Sequence, residues 1–235
     1  MNTHRRFWAG SLERYFATHD GVRVLVWKDL VQTRRGFDIR SLISWLILFG
    51  AEIGLLIAPD WGTRIWVFIV WVLLIGQVCS KRLSSDLKMW VVFHQLPFSG
   101  KETLLAEIAS SVTGTILLGY LAFGICSVLN LHPSLPVVIL TPGIILCTAF
   151  SAIFDVLRQS KTEAMLAGHA SEMGAVGLMT GLLLAGIPLM LVLAITDRMS
   201  RDILLWFISL PGLLLSLGIA YGMWQLAVSQ FTKIE

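Results

Sequence analysis

Few side chains in this sequence could do chemistry, and they are scattered. Glu52 lies inside the apolar run "SWLILFGAEIGLLIAP" (44–59). A bare carboxylate at that depth costs several kcal/mol unless it is neutralised or faces water. Three readings stay open. Glu52 lines a transport path or latches two spans together. It is a protonated acid hydrogen-bonded to a neighbouring helix, through Thr180 or Gln77. Or the span sits deeper or shallower than the apolar run alone indicates.

The five histidines are His4, His19, His94, His132 and His169. None falls mid-span, and no HExxH or paired-glutamate metal motif occurs, so intramembrane metalloprotease chemistry is not expected. There is no Gly-x-Ser-x-Gly. Gly100-Lys101 is followed by Glu102, with no upstream glycine, so there is no phosphate-binding loop of the Walker A kind. The chain is expected to be no enzyme and to bind no cofactor. If ATP drives it, the ATP-Mg sits on another polypeptide. Cys79, Cys126 and Cys147 form no CxxC and no disulfide framework, which leaves them as small core-filling residues.

The stretch "DLKMWVVFHQLPFSGKE" (86–102) is too charged to span a bilayer and too apolar for an idle loop. At 100° per residue from Leu83 to Leu96, Leu83, Leu87, Trp90, Val91 and His94 share one side. Ser84, Lys88 and Gln95 fall toward the other. Pro97 stops the helix and pushes Gln95 and Leu96 toward extended geometry. Ser99 with Glu102 has capping-box spacing and would start the next helix. On pattern alone the segment is a partner-binding amphipathic helix, an interfacial helix in the headgroups, or an extension of the preceding span.

These elements need a scaffold, and the composition names it. Of 235 residues, 56% are hydrophobic and 14% charged, with mean hydropathy +0.77. Soluble domains carry about 25% charged residues. The sequence therefore predicts an all-α polytopic membrane protein. Six apolar runs are expected to cross: Leu42–Ala58, Arg64–Cys79, Leu104–Leu129, Leu135–Phe154, Gly174–Thr196 and Ile203–Val228. They divide the chain into a cytoplasmic arm (1–41), a six-helix domain (42–228) and a tail (229–235). Within the domain lie cytoplasmic connections at 81–103 and 155–173. The opening "MNTHRRFWAGSLERYFATHDG" has no apolar h-region and no small-residue cleavage site, so the first span is expected to act as its own insertion signal.

Orientation follows from Lys and Arg placement. With both termini cytoplasmic, fifteen of the eighteen basic residues fall inside; only Arg64, Arg198 and Arg201 fall outside. The arm alone holds Arg5, Arg6, Arg14, Arg23, Lys28, Arg34, Arg35 and Arg40, interleaved with aromatics, which suits an anionic inner leaflet. The basic residues flank apolar spans and form no stripe, so no nucleic-acid partner is expected. Trp61 and Trp66 suit an aromatic belt at the outer interface. Gly-xxx-Gly occurs in span 1 (Gly50, Gly54), span 5 (Gly177, Gly181) and span 6 (Gly218, Gly222), where small residues let helix backbones approach.

"DLKMWVVFHQLPFSGKETLLAEI" resembles the cytoplasmic connection of ABC-2 type permeases, the membrane subunits of ATP-driven exporters. In that family a polar helix leads into a Leu-Pro-apolar-Ser turn, here Leu96-Pro97-Phe98-Ser99. A helix of the K-x-x-L-L-x-x-K kind follows, here Lys101, Leu104 and Leu105, with Glu107 where a basic residue is usual. "VWKDLVQTRRGFDIRSL" (26–42) is similar to the family's lead-in to its first span. "FDVLRQSKTEAMLAGHASEMGAVG" (154–177) resembles the second cytoplasmic connection of a bacterial exporter branch.

The resemblance implies that Asp86 to Phe98 holds a coupling helix seated on a separate ABC ATPase subunit. Leu87, Trp90 and Val91 would be its apolar knobs. Lys88 would be a rim charge, and Pro97 would fix the angle to the third span. It also implies an elbow helix in the arm, spans 1 and 5 meeting across a subunit interface, and a second permease copy or sibling in the bacterial inner membrane. A hydrophobic or amphipathic cargo fits the sparse polarity of the spans. The competing classes are a non-transporting accessory or immunity protein and an ion-coupled carrier.

Overall fold

The computed structural model describes residues 39–87, 100–160, 175–196 and 202–231. Among the described residues six helices follow the apolar runs: α1 Ile39–Ile57, α2 Trp61–Leu87, α3 Gly100–Val128, α4 Leu135–Ser160, α5 Ala175–Thr196 and α6 Asp202–Phe231. Helices are the expected outcome, because a chain in lipid must satisfy every backbone N–H and C=O within the segment itself. Five of them, α2 to α6, are long and apolar enough to cross a membrane. The apolar part of α1, Leu42–Ile57, is shorter. The whole of α1, 19 residues, spans about 28 Å at 1.5 Å per residue, close to the hydrocarbon thickness. The chain is a polytopic helical membrane protein.

α4 is the axis of the bundle. It packs on all five other helices, and 72% of its apolar window is buried, against 44% or less for the others. Its seams with α5 and α6 are tight. A Cβ built on Gly143 would collide with Ser216 of α6, and one on Gly177 of α5 would collide with Asp155 of α4. On α6, a Cβ on Gly212 would collide with Val192 of α5 and would also touch Leu140 of α4. Lipid tails are as apolar as leucine, so helix association here rests on such close van der Waals fit.

α4, α5 and α6 each carry one internal proline: Pro142, Pro188 and Pro211. Pro211 adjoins Gly212, Pro142 lies two residues from Leu140, and Pro188 lies one turn from Val192. The mutual contact of Gly212, Val192 and Leu140 therefore puts the three prolines within about 8 Å of one height. Each lacks the N–H that would reach the carbonyl four residues back, the standard cause of a kink.

The connections at one end are tight. Asp60 caps α2: the Thr63 N–H donates to its Oδ2 and the Thr63 hydroxyl to its Oδ1, both at 2.8 Å. Those bonds, the backbone one first, hold the Asp60 carboxyl below the usual range. Arg64 Nη2 donates to the Ala58 carbonyl at 2.8 Å, closing the end of α1. α3 ends in a Schellman turn. Leu131 N–H bonds Cys126 O, Asn130 N–H bonds Ser127 O, and Asn130 takes the left-handed conformation that asparagine tolerates (φ 55°). Ser134 N–H then donates to Leu56 O at 2.9 Å, tying the start of α4 to the end of α1.

At the opposite end the helices outrun their apolar runs. The apolar span of α2 ends at Ser80, yet the helix continues to Leu87; that of α3 begins at Ile108, yet the helix starts at Gly100. Each projection is about 10–12 Å long. The helix start at Gly100 falls directly after the predicted cap position. α4 likewise runs to Ser160 and α6 to Phe231, past the Phe154 and Val228 expected from hydropathy. Helical hydrogen bonding does not stop where hydrocarbon stops, so polar residues such as Asp155 continue α4.

Candidate functional site

A buried polar junction is built where the first four helices meet. Glu52 lies on the inward face of α1 with Leu48, Leu55 and Leu56, and is 2% exposed. The opposite face, Ile39, Leu42, Ile43, Leu46 and Ile47, is exposed, so the carboxyl points into the bundle and away from lipid. Thr141 Oγ1 of α4 is within hydrogen-bonding distance of Glu52 Oε1 at 3.4 Å, and its hydroxyl also donates to Val137 O at 2.9 Å. α3 makes room with Gly119. A Cβ there would come within 2.9 Å of Thr141 Cγ2 and 3.1 Å of Glu52 Oε1. α2 contributes Trp71, which is 0% exposed. Its indole N–H is near enough to the Glu52 carboxyl to interact electrostatically, yet it meets no hydrogen-bond geometry among the described residues. An unsatisfied buried donor costs about 1–3 kcal/mol.

α4 carries a row of further buried polar side chains. Thr141, Thr148, Ser151 and Asp155 are each 2% exposed or less, and their spacing of seven, three and four keeps them on one face. Thr148 donates back to Ile144 O at 2.9 Å. Ser151 Oγ has no hydrogen-bond partner among the described residues. Glu52 and Asp155 thus sit near opposite ends of the axial helix, about 21 Å apart along it when measured from Thr141. The three cysteines are free and buried, and Cys147 Sγ donates to Ser216 O at 3.0 Å in the α4–α6 seam. Among the described residues no group of His, Cys, Asp or Glu could hold a metal ion.

The other anticipated site residues fare differently. The hydroxyl that reaches Glu52 belongs to Thr141, where Thr180 or Gln77 had been expected; Gln77 is exposed on α2. Gly54 packs on Val67 of α2 at 3.3 Å, while Gly50 is open. Gly177 is covered by α4 inside the chain, and Gly181 is buried. Gly218 and Gly222 face open space. Asp86 and Leu87 form the last residues of α2. Lys88, Trp90, Val91, His94, Leu96, Pro97 and Phe98 lie outside the described residues, as does the arm up to residue 38.

Trp71, Gly119, Thr141 and Asp155 were not singled out from sequence. The usable signal was Thr141-Pro142, a polar residue beside a proline in an apolar run, which in lipid often marks a polar contact. No family profile, curated protein or solved structure matches this chain.

Proposed function

We propose that this chain is the membrane permease subunit of an ATP-binding cassette exporter, oriented in a bacterial cytoplasmic membrane with both termini inside. The observation that carries the reading is the pair of helical stalks. α2 and α3 leave the apolar layer on one side and carry residues 88–99 between their tips. Leu83 and Leu104, near those tips, are buried in the common core, so force applied to the link would reach the bundle through packed helices. The clustering of Lys and Arg on that side and the resemblance of 86–108 to a permease coupling connection support the same assignment.

A separate ATPase subunit would seat Leu87, Trp90 and Val91 in a groove, and its closure on ATP would tilt α2 and α3 as levers. A second copy or a sibling permease would complete the pathway for a hydrophobic or amphipathic cargo. Purification from native membranes tests this. A nucleotide hydrolase with a Walker motif is expected to co-purify, and to be lost from the Leu87→Ala, Trp90→Ala double variant. Retention of the partner by that variant, or its absence from the wild type, contradicts the reading.

An ion-coupled carrier is the second reading, favoured by the buried carboxyls Glu52 and Asp155 along α4. It predicts transport by the chain alone that collapses when the ion gradient is abolished and ignores nucleotide.

A further inference from the structure

We infer that Glu52 is an intramembrane proton-binding site, occupied when α1 is docked on α4. The argument is one of hydrogen-bond inventory. The Thr141 hydroxyl has one proton and two oxygens near it: Val137 O at 2.9 Å and Glu52 Oε1 at 3.4 Å. A threonine back-bonded to its own helix spends its proton on the shorter contact, which leaves the Oγ1 lone pairs turned to Glu52. The Glu52–Thr141 contact is then completed only when the carboxyl supplies the proton.

The surroundings agree. Among the described residues no cation compensates the carboxyl. The groups that act on it are the Thr141 hydroxyl of α4 and the Trp71 indole of α2, while α3 offers Gly119. The charged residues of these elements lie at helix ends. Arg40 begins α1. Asp60 and Arg64 stand at the head of α2, where Arg64 Nη2 bonds Ala58 O; Lys81, Arg82 and Asp86 are at its far end. Lys101, Glu102 and Glu107 are in the far end of α3. Asp155 and Arg158 are in the far end of α4.

The Trp71 N–H, close to the carboxyl but without hydrogen-bond geometry to any acceptor among the described residues, gives the pocket a second state. When α1 withdraws and water enters, the carboxyl O–H bond breaks and the proton passes to water. The carboxylate left behind has the indole N–H as a ready donor. Proton occupancy and α1 docking are therefore linked, whether or not a nucleotide motor is attached.

Infrared spectroscopy of the full-length protein in phosphatidylethanolamine–phosphatidylglycerol vesicles tests the inference. At pH 7 the wild type is expected to show a deuterium-sensitive carboxylic-acid C=O band that disappears in alkali. Glu52→Gln should remove it. Thr141→Val should move it to higher frequency, and Thr141→Ser should restore it. A wild-type spectrum without such a band, a band untouched by Glu52→Gln, or one indifferent to Thr141→Val each overturns the inference. Should Glu52→Gln fail to fold, 13C-glutamate-labelled wild type and Thr141→Val decide together: the band must shift with the label and again when the Thr141 hydroxyl is removed, and a band that answers to only one of the two overturns the inference.

Discussion

Helices α4, α5 and α6 meet with glycine backbone pressed directly against neighbouring side chains. Gly143, Gly177 and Gly212 have no room for a Cβ against Ser216, Asp155 and Val192. The first three helices meet through side-chain tips. Gly54 faces Val67 at 3.3 Å and Gly114 faces Trp45 at 3.5 Å, both ordinary or slightly tight contacts, and α1 leaves most of its apolar face exposed. Among the described residues the helix-internal prolines lie in α4–α6 and at one height, whereas the charged residue in mid-bundle, Glu52, belongs to α1. The contrast teaches a division of labour. α4–α6 form a tightly fitted unit that bends, if anywhere, at its proline level. α1–α3 pack more loosely on that unit, are pinned by one polar junction, and carry the stalks through which a partner would pull.

Substitutions can break or sharpen this comparison. The largest effect is expected at Gly143. Gly143→Leu should cost about 3 kcal/mol or more, because the α4–α6 seam cannot open locally, and the protein should lose its folded elution peak in detergent. Gly119→Ala comes next, at about 1–3 kcal/mol, since its Cβ would press on both Thr141 and Glu52; thermal unfolding in detergent would register it. Thr141→Val should cost about 1 kcal/mol, the scale of one interhelical hydrogen bond in a membrane. Gly218→Leu and Gly222→Leu should stay within about 0.5 kcal/mol in the isolated chain, because both positions are open. A Gly218→Leu protein as unstable as Gly143→Leu would erase the distinction between open and packed motifs.

The smallest effect is local to the head of α2. The Asp60 carboxyl is held below its ordinary range by the Thr63 N–H and hydroxyl. Its capping contribution is therefore present above the unfolded carboxylate value, about pH 4, and is lost as pH falls through the lower folded value. A lower protection factor at Thr63 and Arg64 under acid, with exchange compared to the intrinsic rate at the same pH, and the same loss at neutral pH in Asp60→Ala, would show it.

Much of the fold was legible in the apolar runs, because a run long enough to cross lipid has little choice but helix. The helix ends were not. Hydropathy marks where hydrocarbon stops, and α2 and α4 continue beyond it to Leu87 and Ser160. Asp155 escaped notice for that reason, since it follows the apolar run it extends. Glu52 could be recognised as a buried carboxyl from its own neighbours in sequence. Its partner could not, because Thr141 stands 89 residues away and becomes adjacent only through the docking of α1 on α4. The Gly-xxx-Gly spacing marked small faces in three helices alike, but only packing separates the covered Gly177 from the open Gly218.

The central claim, that the 88–99 link is a handle for a nucleotide hydrolase, is tested most directly by photo-crosslinking in living cells. A photoreactive amino acid would replace Trp90 in one strain and Leu131, at the other end of the bundle, in a second. The account predicts a crosslink from position 90 to a Walker-motif ATPase and none from position 131. A position 90 that crosslinks to no such protein, or a position 131 that does, would contradict it.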